Sequence, residues 1–140
     1  MPGPLAGINV LDLTSVVSGP LATMFLADQG ADVVKVEPLG GDITRRSRQS
    51  VSGSGEFSAL FVSTNRGKRS LALDLKRPEG GTIMRKLIAR ADVLVQNFRP
   101  GTMERLGLDE PAVARRQSTP DLCLDQRRRR ERTLRREAGL

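Results

Sequence analysis

Three aspartates stand within or beside apolar segments of the sequence, where a carboxylate can serve as a nucleophile or a base. They are Asp12, Asp74 and Asp92. An aspartate in such a place is more often solvated, or caps a neighbouring helix, and nothing in the sequence pairs these three with one another. The residue pattern therefore assigns no catalytic role to any of them.

Two other kinds of chemistry are excluded by composition. Histidine is absent, and Cys123 is the single cysteine. Ser15, Ser18 and Ser63 therefore have no histidine to activate them, so Ser-His and Cys-His catalysis within the chain are excluded. One cysteine forms neither an internal disulfide nor a cysteine-based zinc site. We expect no metal site.

Basic side chains cluster near two of the loops that adjoin predicted strands. They are Arg45, Arg46 and Arg48, together with Arg66, Lys68 and Arg69. These six cations either form an anion-binding rim or are ordinary solvated charges. The sequence favours neither reading over the other.

The elements that must position these groups are short apolar segments separated by turn residues. Strands rich in Val, Leu and Ile are predicted at residues 8–13, 32–37, 70–75 and 92–96. Helices are predicted to begin at Pro20 and Pro78, because the missing N–H of proline costs nothing in the first turn. The first helix is predicted to end at Gly30, and Thr102 is predicted to cap a short third helix through Leu106.

The order of strands and helices is typical of a doubly wound open sheet. We predict an α/β fold with a Rossmann-like open, mainly parallel sheet and flanking helices. Residues 21–28 are apolar on nearly every side, which predicts a buried helix. The second helix carries a single apolar stripe, formed by Ile83, Met84, Leu87, Ile88 and Ala91.

In an open α/β sheet, ligands bind beyond the carboxyl ends of the strands. Residues 14–19, 38–42 and 97–101 are the loops that leave such ends, and residues 39–58 form a long loop of the kind that often carries function. Residues 14–19 lead into a helix N-terminus, which favours phosphate, although they lack the G-x-G-x-x-G fingerprint. Spacing alone favours a plain turn there. The residue pattern therefore reaches no further than a nucleotide- or phosphate-type ligand.

The character of the chain changes near residue 110. The formal net charge is +7, yet residues 1–110 carry 14 Lys+Arg against 12 Asp+Glu. Residues 111–140 carry nine Arg, no Lys and four acids. We predict a domain over residues 1–110 and a disordered or irregular basic tail over residues 111–140. No secretion signal or apolar stretch of roughly 20 residues is present, so we expect a cytoplasmic chain with no membrane partner.

Three ordered blocks of the sequence resemble the class III CoA-transferase family, which contains formyl-CoA, carnitine and bile-acid-inducible CoA-transferases. The blocks are PLAGINVLDLTSVVSGPLATMFLADQGADVVKVEPLGGDITR, NRGKRSLALDLKRPEG and ADVLVQNFRPGTMERLGL, and they span residues 4–108. The resemblance implies part of a CoA-binding domain and transfer of CoA between an acyl-CoA thioester and a carboxylic acid. An acyl-CoA racemase of the same superfamily and a non-catalytic CoA- or nucleotide-binding module are the alternatives.

The resemblance also implies which residues contact CoA, which would enter as a substrate and not as a tightly bound cofactor. They follow the first, third and fourth predicted strands or lie in the short helix: Val17, Ser18, Leu73, Asp74, Leu75, Lys76, Asn97, Phe98, Arg99 and Arg105. Pro38 stands where some family members have an arginine that contacts the nucleotide end. That one contact is therefore not implied here.

The family mechanism uses an aspartate that this reading frame does not supply. Its carboxylate attacks the thioester to form a mixed anhydride, and the released CoA thiolate then forms an aspartyl-CoA thioester that the acceptor acid resolves. The aspartate ends a block that begins approximately NPRLIYASISGFG. Full-length members form interlinked homodimers, which we expect this chain not to form. The resemblance thus implies a truncated, inactive fragment without a catalytic residue.

The tail offers an explanation for the missing block. Permitted codons for residues 116–140, read one base later, encode VNPRLIYASISGAGESGPYAEKPAY. We therefore predict a frameshift between Glu110 and Arg116. The alternative is that the basic tail is a nucleic-acid-binding arm. We favour the frameshift, and therefore expect no nucleic-acid partner.

Overall fold

The computed structural model describes residues 2–46 and 58–108 in full, and the backbone of residues 122–125. Five strands form one sheet: β1 (Asn9–Leu13), β2 (Asp32–Glu37), β3 (Arg69–Ala72), β4 (Val93–Gln96) and β5 (Leu122–Asp125). Their spatial order is β3-β2-β1-β4-β5, and every neighbouring pair is parallel. The predicted α/β fold with an open parallel sheet is confirmed.

Helices connect the strands. They are α1 (Ser18–Asp28), α2 (Ala59–Asn65), α3 (Pro78–Ile88) and α4 (Thr102–Arg105), with a short 3-10 helix at Ile43–Arg46. The helix α2 was not predicted from the sequence. Its N-terminus is capped by Ser58, whose hydroxyl accepts a hydrogen bond from the Phe61 backbone N–H at 3.0 Å.

Both faces of the sheet are buried along its central strands β1, β2 and β4, as a parallel sheet requires. Successive strand residues point to opposite faces, so Val10 and Leu11 belong to different cores. One core lies on the side of α3 and α4 and contains Leu11, Leu13, Val36, Leu73, Met84, Ile88, Leu94, Met103 and Leu108. The smaller core on the other face contains Val10, Ala31, Val33 and Val95.

The end of β3 and the start of α4 differ from the predicted boundaries. The strand β3 ends at Ala72 and not at residue 75, because the Asp74 carboxylate accepts a hydrogen bond from the Lys76 backbone N–H at 3.0 Å and turns the chain. Gly101, not Thr102, occupies the N-cap of α4, with a positive φ of 76° that a glycine adopts without strain. Thr102 is instead the first residue of the helix.

The prediction that the first helix is buried all round was wrong. Only Gly19, Pro20, Thr23 and Met24 of α1 are buried. Leu21 is 36% exposed and Phe25 is 53% exposed, because the sheet covers a single side of the helix. The stripe predicted on α3 packs towards the core at Met84, Leu87, Ile88 and Ala91, whereas Ile83 is exposed.

Within the predicted irregular tail, residues 122–125 instead form β5. Its backbone pairs with β4 from Val93 to Gln96 and so covers strand groups that would otherwise be open at the sheet edge. The remaining residues of the tail lie outside the described part of the chain. Among the described helices, none is long and apolar enough to cross a membrane.

Candidate functional site

A cleft of about 820 Å³ opens at the carboxyl ends of the strands. Its walls come from the loops after β1, β2 and β4 and from residues 73–76, which follow β3. Apolar side chains form much of its lining: Leu13, Val36, Leu39, Leu73, Phe98 and Leu106. The cleft lies where an open α/β sheet is expected to hold a ligand.

The structure brings half of the ten sequence-predicted site residues together in this cleft. Those that line it are Leu73, Asp74, Leu75, Lys76 and Phe98. Arg105 lines an adjoining groove with Lys76. Val17 and Ser18 lie apart from this lining, at the exposed start of α1, and Arg99 is likewise exposed outside it. The CoA contacts assigned to these residues stay predictions.

Asn97 joins two of the loops that border the cleft. Its Oδ1 accepts a hydrogen bond from the Ser15 backbone N–H at 3.0 Å, and its Nδ2 donates to the Ser15 carbonyl at 2.9 Å. The two residues are 82 positions apart. Asn97 therefore holds the loop after β1 against the loop after β4.

Lys35 is a site residue that sequence reasoning missed. It is 1% exposed, and its Nζ donates to the Thr14 carbonyl at 2.8 Å and lies 3.0 Å from Asp42 Oδ2. The other Asp42 oxygen, Oδ1, accepts hydrogen bonds from Thr44. Burial raises the pKa of Asp42, but the Thr44 hydrogen bonds and Lys35 outweigh it and leave the pKa below its usual value. The sequence did offer one signal for this buried cation, which is a lysine inside the apolar segment DVVKVE of residues 32–37.

Glu37 anchors the loop after β2. Its carboxylate is bound by the Arg45 guanidinium, with Nε to Oε2 at 2.7 Å and Nη2 to Oε1 at 2.5 Å. The Ser70 hydroxyl donates to Oε1 at 2.6 Å, and the Asp42 backbone N–H donates to Oε2 at 2.8 Å. Burial alone raises the pKa of Glu37, but these hydrogen bonds outweigh it and lower the pKa to about 2.

Asp12 is fully buried beneath the loop after β1. Its Oδ2 lies 2.8 Å from Lys68 Nζ and accepts a hydrogen bond from Thr23 at 2.6 Å, while Oδ1 accepts from the Thr14 backbone N–H at 2.8 Å. Burial raises the pKa of Asp12, but Lys68 and Lys35 more than compensate and lower it. For Lys68 the balance is the reverse, because burial and, to a smaller extent, Lys35 lower the pKa of its ammonium group by more than Asp12 raises it. These contacts make Asp12 a structural anchor.

The described members of the anion-binding rim considered from the sequence do not form such a rim. Four of its six members pair with carboxylates of the chain: Arg45 with Glu37, Arg66 with Asp28, Lys68 with Asp12 and Arg69 with Asp32. Arg46 is exposed, and Arg48 lies outside the described residues. Charges that a local pattern presents as a patch are thus largely neutralised by partners distant in sequence.

A second groove, of about 590 Å³, adjoins the cleft between α3 and α4. Lys76, Arg77, Arg85 and Arg105 line it, and Leu75, Lys76, Thr102 and Leu106 line both cavities. No group of His, Cys, Asp and Glu side chains in the described residues is arranged to hold a metal ion. Because the cleft is largely apolar and the adjoining groove carries cations, the site can hold an elongated ligand with an apolar part and an anionic part.

Comparisons with known proteins place this chain in a family. Residues 5–123 match the family model described as CoA-transferase family III, a match that runs past the predicted domain boundary at residue 110. The succinyl-CoA:mesaconate CoA-transferase of Haloarcula hispanica is 48% identical over 122 residues, which are 86% of this chain and 30% of that protein. The succinate–glutarate CoA-transferase of Agrobacterium fabrum is 47% identical over 111 residues, 76% of this chain and 28% of that protein.

Solved structures agree with the sequence relatives. A crystal structure of Rv3272 from M. tuberculosis superimposes with a TM-score of 0.81 at 39% identity, covering 87% of this chain and 34% of that one. A CAIB/BAIF family protein from Brucella suis gives 0.78 at 36% identity, covering 88% and 33%. The chain thus spans about 30% of the length of the curated relatives it matches.

Proposed function

This chain belongs to CoA-transferase family III, and we propose that its cleft binds coenzyme A or an acyl-CoA thioester as a substrate. One observation carries the proposal. The cleft at the carboxyl ends of the strands is lined by Leu73, Asp74, Leu75, Lys76 and Phe98, five of the residues to which the resemblance assigns CoA contacts. Its apolar lining suits the pantetheine arm, and the cations beside it suit phosphate.

The activity of the parent protein is, in this proposal, transfer of CoA between an acyl-CoA thioester and a carboxylic acid through an aspartyl intermediate. The described residues supply binding and positioning. The two aspartates that line the cleft are already engaged: Asp42 by Lys35 and Thr44, and Asp74 by the Lys76 backbone N–H and the Arg77 side chain. We therefore propose that this chain binds CoA without turning it over.

Titration calorimetry of the purified 140-residue chain with CoA tests the binding. We expect saturable one-to-one binding, with NAD as the control ligand binding far more weakly because the dinucleotide fingerprint is absent. A chain that binds no CoA, or prefers NAD, contradicts the proposed cleft. A thioester-exchange assay with an acyl-CoA and a carboxylate should stay blank, and turnover there would refute the inactive state alone.

We also propose that the reading register changes between Glu110 and Arg116. The abrupt loss of Lys and the nine Arg after residue 110 support this. So does the family block that permitted codons for residues 116–140 would encode one base later. The reactive aspartate of the parent protein would then lie in the shifted frame. CoA binding by this chain does not depend on that proposal.

A further inference from the structure

The groove between α3 and α4 carries cations that the rest of the chain leaves uncompensated. We name it the basic groove and define it by Lys76, Thr82, Arg85, Thr102 and Arg105. In the described part of the chain, no carboxylate lies within 4.0 Å of its three cationic groups. The ion pairs of Arg45, Lys68 and Arg69 show the opposite arrangement.

The two arginines of the basic groove are held in place by matching contacts. Arg85 Nη2 donates to Thr82 Oγ1 at 3.1 Å, and Arg105 Nη2 donates to Thr102 Oγ1 at 3.1 Å. Each bond spans three residues of one helix, so it orients the guanidinium while leaving its other N–H groups available. Both arginines are therefore positioned to donate to a ligand.

The position of Arg85 is unfavourable unless an anion is present. Its side chain leans back over the first turn of α3, where a Cβ on Gly81 would lie 3.3 Å from Arg85 Nη1. The N-terminus of a helix is its positive end, and a cation is disfavoured there. The N-cap residue, Arg77, makes no side-chain capping hydrogen bond. Helix end and guanidinium together favour a negatively charged group.

We propose that the basic groove is a phosphate subsite and that Arg85 is a binding residue of it. The inference rests on the proposed function, because the phosphate would belong to the CoA held in the adjoining cleft. Leu75, Lys76, Thr102 and Leu106 line both cavities, so one ligand can extend from the cleft into the groove. CoA carries phosphate both in its diphosphate and on its 3′-hydroxyl, and either would meet the same guanidinium chemistry.

The test compares two neighbouring residues of α3 in the full 140-residue chain. Arg85→Gln removes the groove cation, whereas Lys86→Gln removes one positive charge at an exposed position that does not line the groove. We expect Arg85→Gln to weaken CoA binding about tenfold, as for loss of one charge-assisted hydrogen bond. Lys86→Gln should change the dissociation constant less than about twofold, since an exposed charge is screened.

Dephospho-CoA identifies which phosphate is bound. A loss on Arg85→Gln that vanishes with dephospho-CoA assigns the 3′-phosphate, and a loss that persists assigns the diphosphate. Urea unfolding of each variant checks that the fold is retained. Should the glutamine variant not fold, Arg85→Leu, which keeps an aliphatic stem, is measured in its place with the same expectation.

Failure of this subsite is distinct from failure of the proposed function. Wild-type chain that binds CoA while the two variants show equal affinity overturns the phosphate role of Arg85 and leaves the cleft in place. Wild-type chain that binds no CoA overturns both. A steeper salt dependence for Lys86→Gln than for Arg85→Gln is the further result expected, because only the latter has lost a phosphate contact.

Discussion

At the scale of single residues, the strongest departure from expectation is a lysine and an aspartate that are both buried. Lys68 and Asp12 side chains are 2% and 0% exposed and lie 2.8 Å apart. Lys68 Nζ also donates to the Pro20 carbonyl and to Asn65 Oδ1. A buried pair of this kind is retained when hydrogen bonds satisfy the remaining donors and acceptors. Lys68 thus joins the loop before β3 to the start of α1.

Lys68→Met should destabilise the chain strongly. It leaves the Asp12 carboxylate without its closest cation, for which we expect a loss of about 3–5 kcal/mol in the free energy of unfolding. Arg69→Met is the matched control, because Arg69 forms an exposed pair with Asp32 and should cost less than about 1 kcal/mol. Urea unfolding measures both, and equal losses would show that Lys68 is not a buried anchor.

At the scale of elements, the loop after β2 is held by charges from both sides. Glu37 binds the Arg45 guanidinium, which also lies 4.0 Å from the centre of the Phe61 ring. Lys35 and Asp42 tie the same loop to the loop after β1. These pairs place residues 38–42 against the cleft. The geometry of one wall of the site therefore depends on carboxylates being ionised.

Acid should weaken the fold through Glu37. Its pKa is about 2 in the folded chain against an ordinary value of 4.5, so the unfolded chain takes up the proton first as the pH falls. The stabilisation, on the order of 3 kcal/mol, is complete above about pH 4.5 and is lost as the pH falls towards 2. Urea unfolding from pH 7 down to pH 3 measures it.

Glu37→Gln should flatten part of that pH dependence. Asp12 and Asp42, whose pKa values are also lowered, keep the remainder. Glu79→Gln removes a carboxylate from an exposed position in the first turn of α3 and serves as the control. If both variants retain the full acid sensitivity of the wild type, Glu37 is not responsible for it.

At the scale of the whole molecule, one apolar stripe is exposed among the described residues. Val17, Leu21 and Phe25 recur at four-residue intervals along α1 and are 40%, 36% and 53% exposed. Side chains at this spacing form one stripe of a helix. Exposed apolar stripes are where proteins associate or aggregate. The described residues therefore form a layered domain with one face of α1 open to solvent.

The DNA around codons 108 to 145 should reveal the missing family block. We expect the frame one base later to encode NPRLIYASISG, followed by the reactive aspartate. Sequencing the locus measures this directly, and a shifted frame without that block ends the frameshift proposal. A genuine nucleic-acid arm would instead bind RNA or DNA with an affinity that falls steeply as salt rises.

Much of the architecture followed from local pattern. Residues 32–37 form β2 with the predicted bounds, because a short run of strand-forming residues between turn signals is a local property. The loops at the carboxyl ends of the strands, and hence the place of the cleft, followed from the same short runs. The helix α2 escaped prediction because a short capped helix after a long loop has little periodicity of its own.

The sequence by itself determined four of the five strands, the alternation of strands with helices and the family blocks, since each is written in neighbouring residues. Only the tertiary structure decided which charges are available to a ligand. Lys68 and Asp12 are 56 positions apart, and Asn97 and Ser15 are 82 apart. Such pairs exist because the sheet brings separate loops to one edge. Burial then makes an ion pair necessary where the linear sequence shows only a charge.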